Sequence, residues 1–141
     1  NMVKSTLKGK GVSAQSKIFY KDIIKKLSPN RKAMLVFVKN KNKIIGGSIF
    51  LFHKKTAYYW HMGFLQEFNS LSPNFFLLWE MILWSKSQGF HNFDFVRIER
   101  ERLPGIARFK QSWGGSIRQY NILTRKGYFN KLISSNRNNN D

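Results

Sequence analysis

Cysteine is absent from this 141-residue sequence, acidic side chains number 7 and histidines 3. Without cysteine there is no disulfide scaffold, no thiol nucleophile and no Cys-ligated zinc. So few acids and scattered histidines leave no expected metal site. Long apolar runs are missing as well. The longest covers residues 33–38, far short of the ~20 residues a bilayer-spanning helix needs. The first residues, 1–11, are polar and basic, without the apolar segment of a secretory signal. The chain is therefore expected in the cytoplasm, with peripheral contact at the inner membrane face left open. No Gly-x-Gly-x-x-Gly, P-loop or nucleophile elbow occurs.

What is abundant is positive charge and aromatic surface. Lys and Arg total 25, for a formal net charge of +18, yet 42% of the residues are hydrophobic. That apolar content excludes a disordered polyelectrolyte and suits one domain with its own core. The charge implies attraction to polyanions: a nucleic acid such as tRNA, a phosphorylated small molecule or an anionic membrane surface. It is concentrated early, since residues 1–55 contain Asp22 as their single acid.

Residues 1–13 read as a flexible lead-in. Apolar residues at helical spacing (Ile18, Phe19, Ile23, Ile24, Leu27) place a helix over 14–27, stopped at Ser28-Pro29-Asn30. Residues 33–39 read as a strand buried on both faces. The Lys/Asn tip at 39–43 leads into a strand over 44–53. Gly46-Gly47 within that strand signals a bulge or a close backbone approach. After the tip at 53–55, residues 56–62 alternate as a third strand. Short links make these three an antiparallel meander, which puts the two basic tips at opposite ends of the sheet.

An irregular connection over 63–72 precedes a helix over 75–88. This helix is apolar nearly all round and is expected to be deeply packed, with Gly89 at its end. A strand over 92–96, a helix over 103–113 and a strand over 116–124 follow. Residues 128–133 form a further helical turn, and the Asn-rich tail 134–141 is expected to be disordered. The fold class is α+β: a mixed sheet in which an antiparallel meander is followed by β-α-β-α-β, with helices on both faces. The domain spans 14–125, and 126–141 is a partly disordered C-terminal extension.

Three charged residues stand out as candidates for catalysis. On a wheel of 100° per residue, Lys110 falls about 40° from Ile106, inside the stripe made by Leu103, Phe109 and Trp113. Such a lysine snorkels to the surface, pairs with an acid or faces a cleft. In a cleft it can hold an anion or stabilise an oxyanion during acyl transfer. Glu80 sits mid-helix among Phe76, Trp79 and Trp84. Buried there it is either a proton acceptor with a raised pKa or a satisfied structural acid. Asp94, between Phe93 and Phe95, either anchors a loop or pairs with Arg97 or Lys110.

Candidate binding residues are weaker signals. Tyr59 and Trp60 can stack on a nucleobase or belong to the core. Ser72 and Asn74 precede a helix and mark either an anion site or an ordinary cap. His53 and His61 lack metal-ligand spacing.

Ser72-Pro73-Asn74, Leu78-Trp79-Glu80, Gly89, Phe93-Asp94-Phe95 and Phe109-Lys110-x-x-Trp113-Gly114-Gly115 occur in one order. In this the chain resembles the FemAB/FemX (BioF2-like) acyltransferase domain of the GNAT superfamily, over roughly residues 14–125. The resemblance implies a GNAT-like sheet lacking its first strand and helix. It also implies transfer of an amino acid from aminoacyl-tRNA to an amine of a cell-wall precursor, or acylation of a sugar or polysaccharide precursor. It implies that Lys110 stabilises the anionic transition state or the tRNA terminus, with Phe109 and Trp113 beside it at the donor. No metal and no covalent intermediate are implied.

FemX-like proteins carry two such domains, so 14–125 is expected to be the C-terminal half of a longer protein. Trp113 replaces the family's usual Phe. The Arg/Gln-x-x-Gly-x-Gly/Ala turn that binds the pyrophosphate of CoA is absent before Phe75. The alternatives are a CoA-dependent N-acetyltransferase with acetyl-CoA as donor and a non-catalytic nucleic-acid-binding module.

Overall fold

The computed structural model describes residues 16–98, 101 and 103–119. Helix α1 spans Lys17–Leu27. Its N-cap Ser16 accepts the Phe19 N–H on its hydroxyl at 3.1 Å, which satisfies one of the orphan donors of the first turn. Strands β1 (Ala33–Asn40), β2 (Lys43–His53) and β3 (Thr56–Phe64) form the expected antiparallel meander. A 3₁₀ turn over Gln66–Leu71 leads into helix α2, Pro73–Ser87. Strand β4, Asn92–Asp94, joins β3 in parallel, and helix α3 covers Pro104–Gln111. The sheet order is β1-β2-β3-β4, so the architecture is the α+β mixed sheet expected from the chain.

The core lies between the sheet and α2. Phe50, Tyr59 and Leu78 are completely buried there, with Phe52, Ala57, Phe64, Leu77 and Met81 around them. On the opposite face, Phe19 and Tyr20 of α1 set their rings against Trp60 and His61. Gly46 and Gly47 mark a close approach. A Cβ at Gly46 would run into the Phe64 ring, and one at Gly47 would lie 2.8 Å from the Val36 carbonyl oxygen. One ladder irregularity is beside them, where Val38 pairs with Gly46 and Lys39 with Ile44 and Ile45 is the extra residue; the other falls between Ile49 and Phe50.

Several expectations are corrected. Strand β1 is not buried on both faces, because Leu35 and Phe37 are exposed. Helix α1 sets its rings on Trp60 and His61 of β3 and does not bury Leu35 or Phe37. Helix α2 is not packed all round: Leu77, Leu78, Met81 and Ser85 face the sheet, while Phe76, Trp79 and Leu83 are exposed. An all-apolar helix carries no periodic stripe to announce which side will pack. Strand β4 stops at Asp94 rather than Val96. Residues 116–119 carry no strand; 120–124, the helical turn at 128–133, the tail and the lead-in 1–13 lie outside the described residues.

Candidate active site

Strand β3 is nine residues long, but β4 pairs with it only from Thr56–Asn92 to Tyr58–Asp94. Beyond Tyr58, no described strand continues the ladder on that side. The chain leaves β3 at a turn held from two directions. The carboxylate of Asp94 accepts the Val96 N–H at 2.6 Å, and Val96 lies in the left-handed region with φ 52°. A β-branched residue is strained there and stays only because its surroundings hold it. From the other side, Lys110 Nζ donates to the Arg97 carbonyl at 2.7 Å. The result is a parallel strand pair that opens toward its C-terminal end, beside the start of α2.

An aromatic cluster lines this end. Phe75, in the first turn of α2, meets Phe109 edge-on at 4.9 Å and stacks on Trp113 at 5.7 Å between centroids. Phe95 bridges Trp113 and Tyr59, 6.3 Å from each. The indole N–H of Trp113 is buried without an acceptor, so the cluster holds one unspent donor. Tyr59 donates its hydroxyl to Met62 Sδ at 2.8 Å. Burial pushes its pKa well above the ordinary tyrosine value, and the ring stays neutral.

His61 lies in the stretch of β3 beyond its β4 partner. It is partly buried between the Tyr20 and Trp60 rings, 5.3 and 4.4 Å away. Desolvation lowers its pKa, so at neutral pH it is an uncharged imidazole able to accept a proton. Ser48 donates to its carbonyl at 2.7 Å and fixes the strand there.

The candidates read from sequence thus separate. Lys110, Asp94, Phe109, Trp113 and Tyr59 gather at the opening. Lys110 is 5% exposed, and its ammonium meets a main-chain carbonyl rather than presenting itself to solvent in a cleft. Asp94 anchors its own loop. Trp60 packs on α1. Glu80 lies on the exposed side of α2, so the expectation of a buried carboxylate is overturned: the helix turns its Leu78 and Met81 side to the sheet. The Ser72 side chain makes no cap bond. Its carbonyl accepts the Phe75 and Phe76 N–H groups and Pro73 has none, which leaves Asn74 with the one outward main-chain N–H of that turn. An anion site at Ser72 and Asn74 is correspondingly depleted.

Sequence reasoning missed His61, weighed only as a metal ligand, and the strained Val96. An acid two residues ahead of a turn amide was the available signal for the latter.

The model of the acetyltransferase (GNAT) domain family matches residues 3–111, and the chain belongs to that family of acyltransferases. Its fold is similar to that of a transcriptional regulator from Bacillus halodurans C-125, at 16% identity and a TM-score of 0.68 over 89% of each chain. It is also similar to an aminoglycoside acetyltransferase from an uncultured soil metagenomic sample, solved with sisomicin. That pair shares 12% identity and a TM-score of 0.64 over 89% of this chain and 83% of the other. A GNAT family acetyltransferase from Staphylococcus aureus superposes with a TM-score of 0.53 at 18% identity, over 79% of this chain and 78% of the other. No curated protein matches the sequence. None of the described helices is long and apolar enough to cross a membrane.

Proposed function

We propose that this domain transfers an acyl group from a CoA thioester to an amine, with the carrier entering the opening between β3 and the turn after β4. The observation that carries this reading is the early end of the β3–β4 ladder. Among the described residues no strand pairs with β3 beyond Tyr58 on that side, next to an apolar aromatic wall. An extended acyl carrier with amide groups can complete that edge as a missing strand would. The orphaned Trp113 N–H fits the same ligand, as a donor to one of its carbonyls.

The chemistry needs few groups. The acceptor nitrogen attacks the acyl carbonyl, giving a tetrahedral oxyanion. Collapse breaks the bond to sulfur and expels the thiolate, which takes up a proton. The amine loses its proton to a base, and neutral His61 fills that role. Lys110 and Asp94 are positioning residues: they hold the turn that carries the chain after β4 away from β3.

A second reading is favoured by one observation. The start of α2 offers little to a pyrophosphate, with Pro73 at its first position and two further amides spent on Ser72. An aminoacyl-tRNA donor, and an amine of a cell-wall or polysaccharide precursor as acceptor, would need no such cradle and would suit the +18 charge. Acyl transfer assayed with acetyl-CoA and with charged tRNA decides between the two. Thermal shifts with each donor report binding independently. Stabilisation by neither donor, with no turnover, would remove the transferase reading.

A further inference from the structure

We infer that the end of the sheet opposite the opening is a docking surface for the phosphate backbone of double-helical nucleic acid. Three separate stretches of chain converge there through main-chain hydrogen bonds. Phe52 N–H reaches the Lys32 carbonyl at 2.8 Å, and the His91 and Asn92 N–H groups reach the Lys55 carbonyl at 2.9 and 3.1 Å. These bonds bring together the loop after α1, the β2–β3 tip and the loop after α2. The first carries Arg31 and Lys32, with Lys25 and Lys26 in the last turn of α1. The second carries Lys54 and Lys55, and Lys86 stands in the last turn of α2.

Every one of these cations is exposed, and among the described residues none is in an ion pair; the described salt bridge, Lys43–Glu67, lies at the other tip. No acid belongs to any of the three stretches. Asp22, one turn back on α1, pairs with none of them. Close like charges repel one another, so so many unneutralised cations at one pole favour a polyanion there. The opening begins past Tyr58, about 7 Å along β3 from Thr56 at ~3.3 Å per residue, and runs from there toward Phe64, away from this pole. None of the cations named above lines that opening, so the surface is distinct from the acyl-carrier site whichever donor is used.

The rest of the pole selects the kind of polyanion. Among the described residues, most exposed large apolar side chains lie away from it, at the start of α1, on the β1–β2 hairpin, at Leu71, at Ile117 and along Phe75, Phe76 and Trp79 of α2. Leu83, one turn before Lys86, stands alone at its margin. A membrane-docking face would set such side chains among its lysines. Single-stranded nucleic acid would need exposed rings for base stacking, but Phe90, the aromatic of this region, is packed between Phe52 and Trp84. What remains is cationic and hydrogen-bonding: Asn30, His53, Gln88 and His91 stand exposed beside the lysines. That is the chemistry of sequence-independent contact with duplex phosphates.

The test uses the full chain with fluorescent duplex RNA and duplex DNA oligonucleotides, read by anisotropy across a salt series. Binding is expected with a log–log salt slope steeper than about −4, at ~0.9 per phosphate contacted. The paired variants R31E/K32E and K54E/K55E should each weaken it at least tenfold and flatten the slope by about two. The control K39E/K41E makes the same charge change at the opposite tip and should cost less than threefold. Equal losses in all three would make binding a property of net charge and overturn the proposal. So would no duplex binding at low salt, or binding to phosphatidylserine-containing vesicles without binding to either duplex. Melting temperatures of the variants establish that they are folded.

Discussion

Lys110 and Asp94 hold adjacent main-chain groups of the same turn. The lysine ammonium takes the Arg97 carbonyl at 2.7 Å, and the aspartate takes the Val96 N–H at 2.6 Å. Between them sits a valine with φ 52°. The opening beside β3 depends on this turn, so removing either side chain should affect the opening before any chemistry.

Lys110→Met keeps the apolar stem and removes the ammonium. It leaves the Arg97 carbonyl without its charged donor, and a hydrogen bond of that type contributes about 1.5–3 kcal/mol. Urea unfolding should show a loss in that range. If Lys110 positions rather than catalyses, KM for the acyl donor should rise more than kcat falls. A variant with unchanged stability would contradict the placement of its ammonium.

Val96→Gly should stabilise the protein by about 1–2 kcal/mol, because glycine occupies the left-handed region without a Cβ penalty. Asp94→Ala should destabilise the native chain, by about 1 kcal/mol for the lost hydrogen bond. In the Val96→Gly background that cost should shrink. A double-mutant cycle by chemical denaturation reads the coupling.

His61 is lowered by desolvation. Its neutral form is favoured in the folded state, so its contribution to stability is intact above the unfolded pKa of about 6.5 and is lost as pH falls through the folded value. NMR titration should place its midpoint below that reference, and His61→Phe should flatten the stability profile on the acid side. As proton acceptor it should also carry activity, and His61→Ala should lower kcat by roughly 10²–10⁴.

Tyr59 shifts the other way, raised by burial. The folded state keeps the phenol protonated where the unfolded chain ionises near pH 10. Its contribution is therefore complete below that pH and is lost as pH rises toward the folded pKa. Tyr59→Phe should remove this alkaline dependence while costing about 1 kcal/mol at neutral pH for the bond to Met62. Unfolding between pH 8 and 11 measures both.

Gly46→Ala places a methyl against the Phe64 ring, and overpacking of that kind costs about 1–3 kcal/mol. Adding Phe64→Leu should restore part of the loss, read as a rise in melting temperature.

Short-range order was legible in the residues themselves. Helical spacing in Ile23, Ile24 and Leu27, strand alternation around Tyr59, and glycine or Ser-Pro-Asn punctuation produced α1, the meander, α2 and α3 in order, because periodicity and turn chemistry act over a few neighbours. Part of the site was legible for the same reason: the apolar stripe beside Lys110 places it on the inward side of α3.

Other features depended on which strands pair and which faces meet, and no local pattern encodes that. The side of α2 that reaches the sheet, the exposure of Glu80 and the carbonyl that receives Lys110 all belong here. So does the cationic pole, whose Lys26, Arg31, Lys54 and Lys86 are remote in sequence. Long-range pairing brings their backbones together, while their charges alone would drive them apart.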